Sequence, residues 1–290
     1  MNQIDRRKLK REAREAMGLT SPRFWVVALV FILLTTGVSL LLDTLSTLIN
    51  PAAETFSFFG FFVSILFLLY SIIINFGYNL WSLWTYRKLN PGLGSLLQGF
   101  SVSGRVILME IIITLWVAIW VFVLATIITI VIVLIPSVPV IVLSILALYA
   151  AIFVIQLRYS MAPYLLADRP DDGAGAAVRR SVEMMRGRKW QLFKLQFSFI
   201  GWYLIEFLLA GAVIVFFILK SGVLNTPVTA DSVLVYQSVI FGLAPSILSS
   251  LITLPLSLWL IPYVSVTQAG FYDTLCRQGY TSEYDQMPPL

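Results

Sequence analysis

Histidine is absent from this 290-residue chain, and cysteine occurs once, at Cys276. Without histidine there is no imidazole for acid–base catalysis, and none to ligate zinc or haem. A single cysteine forms no internal disulfide and no Cys-x-x-Cys metal or redox pair. It reads as a small residue near the end of the last apolar run. Charge is also scarce: Asp, Glu, Lys and Arg make up 12% of the residues against 59% hydrophobic, and mean hydropathy is +0.88. A soluble domain of this length needs a polar shell that so few charges cannot supply. Lipid is the solvent that fits. The net charge of +5 does not point to nucleic acid, because no soluble basic domain exists to present it. Clustered Lys and Arg suit anionic phospholipid headgroups instead.

What the chain has in abundance is long apolar runs. Six are legible, at 24–42, 56–78, 106–135, 140–157, 195–219 and 233–263. Each approaches the roughly 20 residues that cross about 30 Å of hydrocarbon, and none shows the alternation of a barrel strand. The expected fold is therefore all-α: a polytopic membrane protein of six transmembrane helices with cytoplasmic amphipathic helices. It forms one domain over residues 1–278, with a short polar tail at 279–290. The third run is about 30 residues, or about 45 Å as a helix, so it should tilt or project beyond the bilayer. Pro245, Pro255 and Pro262 predict a kink or split in the sixth.

Every Lys and Arg except Lys220 falls in alternate connections: before the first run, between the second and third, between the fourth and fifth, or after the sixth. That asymmetry places both termini in the cytoplasm of a multi-pass plasma-membrane protein. The basic start resembles a signal-peptide n-region, but the first run is long for an h-region, so an uncleaved span is expected. Trp25, Trp81, Trp84 and Trp190 fall at the cytoplasmic boundaries, where tryptophan anchors helices.

Three cytoplasmic stretches precede the odd-numbered runs. The first, 7–17, carries Leu9, Ala13, Ala16 and Met17 at helical spacing. The second, 93–100, carries Leu96, Leu97 and Phe100. The third, 174–185, carries Ala174, Ala177, Val178, Ser181, Val182 and Met185. Asp171 and Asp172 before the third helix and Arg186, Arg188 and Lys189 after it suit the helix dipole, and Gly187 can end it. Gly18, Gly99 and Gly187 close the three stretches, compatible with three repeats of a helix plus a hairpin, which would pack with pseudo-threefold symmetry. Two readings of these helices stand: they lie in the headgroup plane or dock a partner, or they only orient and cap the bundle.

The densest basic segment runs from Arg158 to Lys194, and it carries most of a family likeness. Residues 159–170 (Tyr-Ser-Met-Ala-Pro-Tyr-Leu-Leu-Ala-Asp-Arg-Pro), Ser181 with Met185-Arg186-Gly187, and residues 193–202 resemble the DUF975 family of integral membrane proteins, found mainly in Gram-positive bacteria. Pro262-Tyr263, Ala269-Gly270-Phe271-Tyr272 and the opening Leu9-Lys10-Arg11-Glu12-Ala13-Arg14 are also similar to it. The resemblance implies a six-span bacterial membrane protein without an assigned activity, and it brings no catalytic residues.

Inside the apolar runs, Glu206 is the leading polar candidate, about 16 Å into the fifth. Tyr203, at i−3, is placed to hydrogen-bond it, and Gln196 and Tyr203 share its face. It is either a proton, cation or ligand site, or a neutral acid bonded to a neighbouring helix. Glu110, nearer the cytoplasmic end of the third run, reads as snorkelling or paired with Arg105. Asn75 and Asn79 read as glue between helices. Arg158 reads as the end of the fourth span or a partner for Asp168. No nucleophile–base set, phosphate loop or metal-binding motif is present. The expectation is a protein without enzymatic activity, cofactor or metal. It would contact anionic phospholipid headgroups, or a membrane or cytoplasmic protein partner, through Arg179, Arg180, Arg186, Arg188, Lys189 and Trp190. The alternative is a transporter or lipid-handling protein with a site near Glu206.

Overall fold

The computed structural model describes residues 4–49, 58–222, 240 and 242–279, and among them there are helices and no strand. The expected starts of the second run at Phe56 and of the sixth at Val233, and the tail after Gly279, lie outside the described residues. Helix α1 (Arg6–Gly18) begins at Asp5, whose carboxylate accepts from the Arg7 and Lys8 amides. Its buried residues are Leu9, Ala13, Ala16 and Met17, the stripe expected from their spacing.

Among the described residues, six helices are long and apolar enough to cross a membrane. The first joins α2 (Phe24–Ile32) to α3 (Val38–Ile49) through a π-helical turn at Leu33–Gly37. The second is α4 (Phe58–Tyr86). A 3₁₀ helix, Leu93–Val102, then leads into α5 (Ser103–Leu134), which folds back through α6 (Val138–Gln156). After the short α7 (Ala162–Asp168), α8 (Ala174–Met184) and α9 (Lys189–Phe197) come the last two spans, α10 (Ile200–Ser221) and α11 (Leu243–Gly279). The fifth apolar helix thus begins at Ile200, not Leu195, because the chain bends at Ser198 between α9 and α10. Pro255 and Pro262 lie inside an unbroken α11. Pro245 falls in its first turn, where a missing N–H has no intrahelical acceptor to lose.

The buried core gathers at the end of the bundle that carries the basic connections. Trp81, Leu83, Tyr164, Leu166, Met185, Phe271 and Tyr272 lie there, joined by the stripe of α1 and by Ala174, Ala177 and Val178 of α8. Trp81 is therefore a core residue, whereas Trp25 and Trp190 are exposed. At the far end the spans stay bare: Phe58, Phe122 and Val138 are more than two-thirds exposed. The α5–α6 hairpin buries only Val106 and Met109. So much bare apolar surface is stable only in lipid or against a partner.

The 3₁₀ helix departs from the expected stripe. With three residues per turn it buries Ser95, Leu96 and Gly99, and leaves Leu97 and Phe100 exposed. It lies directly on α4, where a Cβ at Gly77 would stand 2.0 Å from the Leu96 carbonyl oxygen and one at Gly99 would stand 2.5 Å from that of Ile73. The three glycines of the proposed repeat do different work: Gly99 permits this contact, Gly187 holds φ +74° after α8, and Gly18 faces open space.

Candidate functional site

The most connected polar group in the core is a clamp around Arg87, the first residue after α4. Its Nη1 and Nη2 donate to the two oxygens of Asp168 at 2.7 and 2.8 Å, and its Nε donates to Asp273 Oδ1 at 3.0 Å. The Tyr272 hydroxyl donates to Asp168 at 2.8 Å, and Arg277 bonds Asp273 at 2.9 Å. A two-pronged guanidinium–carboxylate contact fixes orientation as well as distance. It ties α4, α7 and α11 at one point. From the preceding residue, the Tyr86 hydroxyl donates to Glu12 of α1 at 2.6 Å, which brings in a fourth helix. The Tyr86 ring lies where a Cβ at Gly270 would fall, 2.4 Å from the nearest ring carbon. Burial opposes the Arg87 charge, but Asp168 and then Asp273 outweigh it and hold the pKa above the ordinary value.

The clamp is charge-balanced: Arg87 and Arg277 face Asp168 and Asp273. The gap beside it, bordered by Tyr272, Arg180 and Cys276, is about 20 Å³, room for about one water and no substrate. What its contacts do is join helices. It also corrects one expected pairing: Asp168 binds Arg87, whereas the main-chain carbonyl of Arg158 accepts from Ser181 Oγ at 2.8 Å. Among the described residues no group of acids and cysteine is arranged to hold a metal ion.

Around the clamp, Asp171 and Asp172 are consumed in internal pairs, whereas Glu183 is exposed and has no ion-pair partner among the described residues. Asp171 binds Arg105 at 3.2 Å, so Arg105 is not the partner of Glu110, and Asp172 binds Arg180. Of the six residues expected to contact headgroups or a partner, Arg180 is thus paired. Arg179 and Arg186 are exposed, Arg188 and Lys189 are half-buried, and none of these four has an ion-pair partner among the described residues. Burial, and then the neighbouring charge of Arg158, lowers the Lys189 pKa. Trp190 is exposed, stacked on Phe193 at 4.7 Å with Lys194 Nζ 5.4 Å from its centroid.

Helix α1 docks on the α9–α10 bend. Arg6 donates to the Lys194 carbonyl at 3.3 Å, and Lys10 donates to that of Ser198 at 3.1 Å, cations on the carbonyls that close α9. Lys10 Nζ also sits 3.8 Å from the Phe199 centroid. Burial, followed by the charges of Arg6 and Arg14, lowers its pKa. A cleft of about 480 Å³ opens beside Arg6, Arg7, Lys10 and Ser198.

The intramembrane candidates separate into two places. Glu206 accepts from Ser257 Oγ of α11 at 2.5 Å, so its hydrogen-bond donor is Ser257 and not Tyr203, which is exposed. With α10 starting at Ile200, Glu206 is six residues, about 9 Å, from the start of the span, shallower than the midplane. Gln196 lies on the other side of the bend, and its Oε1 is buried without a partner among the described residues. Glu110 instead lines a cleft of about 470 Å³ between α4 and α5, with Asn75 and Asn79.

The sequence carried weak signals for the clamp. Asp273 stands four residues before Arg277, and Tyr272 closes one of the family-like segments, but nothing linear linked either to Arg87. No curated protein and no solved structure matches the chain. The model of one family, described as "Protein of unknown function (DUF975)", matches residues 1–278, and the chain belongs to that family.

Proposed function

We propose that this is a multi-pass plasma-membrane protein, with both termini in the cytoplasm, that engages the anionic lipid surface through its basic face and performs no catalysis of its own. One observation carries the reading: Asp168, Asp171, Asp172 and Asp273 are spent on internal pairs, while Arg179, Arg186, Arg188 and Lys189, which outnumber the exposed Glu183, have no ion-pair partner among the described residues. The apolar stripes of α1 and α8 are packed into the protein, so these helices cap the bundle and offer the bilayer charge in place of an inserted apolar face. Exposed Trp190 beside them suits the headgroup level. Each Lys or Arg near an anionic surface contributes on the order of 1 kcal/mol, so the surplus cations suffice to select anionic lipid.

The test is native mass spectrometry of the protein released from membranes of mixed phosphatidylcholine and phosphatidylglycerol. Wild type should retain phosphatidylglycerol preferentially, and the triple variant Arg179→Gln, Arg186→Gln, Arg188→Gln should lose that preference. Equal lipid retention by the two, or a protein partner lost from the variant in place of lipid, would overturn the reading.

A further inference from the structure

The cleft between α4 and α5 has a chemistry that the basic face does not share. Ser71, Asn75 and Asn79 recur at intervals of four and therefore line one side of α4, opposite Glu110 of α5, and Pro163 of α7 closes one end. Asn79 is seven residues from the end of α4 and Glu110 seven from the start of α5, so both lie about 10 Å into their spans. Asn75 lies deeper, about 16 Å, and is nonetheless exposed. An amide bare to hydrocarbon at that depth is costly unless a polar group meets it.

The cleft's polar atoms are mostly acceptors waiting for donors. The Asn75 Nδ2 donates to the Ser71 carbonyl at 2.8 Å, which leaves its Oδ1 for an outside donor. Ser71 Oγ is buried with no hydrogen-bond partner among the described residues, and Glu110 has no ion-pair partner among them. No Lys or Arg lines the space, and the nearest along α5, Arg105, is held by Asp171. Apart from Ser64, whose hydroxyl donates to the Gly60 carbonyl, the remaining walls, including Phe67, Leu68, Ile72 and Met109, are apolar. From this we infer that the α4–α5 cleft binds the ammonium headgroup of a membrane lipid, with Glu110 as counter-ion and Asn75 and Ser71 as acceptors. An ammonium offers three donors, which the Glu110 carboxylate, the Asn75 Oδ1 and the Ser71 Oγ can accept. The exposed side at Asn75 admits the lipid laterally, and its chains remain along the apolar walls and in the bilayer.

The experiment titrates delipidated, detergent-solubilised protein with phosphatidylethanolamine and with its N-acetylated form, which keeps the phosphate and chains but has no ammonium, and counts bound lipid by native mass spectrometry. Wild type should bind phosphatidylethanolamine about tenfold more tightly, the change expected for one charge-assisted hydrogen bond. Glu110→Gln should abolish that preference. Asn75→Leu, which keeps the acid and fills the cleft, should weaken binding of phosphatidylethanolamine while the protein still elutes as a single folded species. The triple variant of the basic face should keep the preference, which separates this site from the surface proposed above. Equal binding of the two lipids by wild type, or a preference that survives Glu110→Gln, would overturn the inference. So would saturation by free ethanolamine with no lipid bound, because it would make the ligand a soluble amine.

Discussion

Replacing Arg87 with methionine tests the clamp most directly. The change keeps an unbranched apolar stem and removes the guanidinium that bonds both Asp168 and Asp273, whose side chains are 13% and 10% exposed. Arg277 remains on Asp273, but it is 78% exposed and therefore more strongly screened by water than Arg87. Breaking a fully buried pair by removing one partner costs about 3–5 kcal/mol. Arg87 is itself 28% exposed, so water screens part of the loss, and about 2–3 kcal/mol is expected here. Unfolding by dodecyl sulfate in mixed micelles, followed by tryptophan fluorescence, reads that difference. Asp168→Asn should cost less, because the amide still accepts from Arg87, and the double variant should show a coupling of about 1–2 kcal/mol. The control is Arg186→Met, an exposed cation without an ion-pair partner among the described residues, which should change stability by no more than about 0.5 kcal/mol. If Arg87→Met falls within that margin of the control, the three helices are held by apolar packing alone and the reasoning fails.

Other sites give further expectations. Gly77→Ala places a methyl 2.0 Å from the Leu96 main-chain oxygen and should displace the 3₁₀ helix, seen as a collapse in the yield of monodisperse protein; Gly18→Ala, which meets open space, should be silent. Ser257→Ala leaves Glu206 without its 2.5 Å donor and should cost about 1–3 kcal/mol in the same micelle assay. Burial raises the pKa of the Tyr164 phenol, which lies in α7 outside the spans. The folded state therefore keeps a proton that the unfolded chain releases, so stability falls as pH rises past the ordinary tyrosine value of about 10. Tyr164→Phe should flatten that alkaline loss in a pH series of unfolding midpoints.

The six spans were legible because a bilayer demands about 20 apolar residues in sequence, a local property that needs no knowledge of neighbours. The buried stripes of α1 and α8 were legible for the same reason: helical spacing puts Leu9, Ala13 and Ala16, or Ala174, Ala177 and Val178, on one side whatever that side meets. The stripe of residues 93–100 does not follow from 3.6-residue spacing, because the segment is a 3₁₀ helix pressed against α4, with Gly99 over the Ile73 carbonyl. The fifth span misled at its start, since hydropathy does not register the bend at Ser198 that Lys10 of a distant helix holds by hydrogen bonding to that carbonyl.

The linear order of residues thus determined the helical class, the number of apolar spans, the segregation of Lys and Arg to alternate connections and the family. Each of these depends on composition within a window or on the alternation of segments. Pairing did not follow from it. Arg105 and Arg158 are the cations the linear order offers to Glu110 and Asp168 from neighbouring segments, yet Asp171 takes Arg105, Arg87 takes Asp168 from 81 residues away, and Ser257 reaches Glu206 from 51. Electrostatic and hydrogen-bond partners are chosen by distance in space, and in a bundle the side chain one helix over is closer than the one two turns along. That is why only the tertiary structure turned a list of polar residues into a balanced clamp, a cationic surface and an acidic cleft.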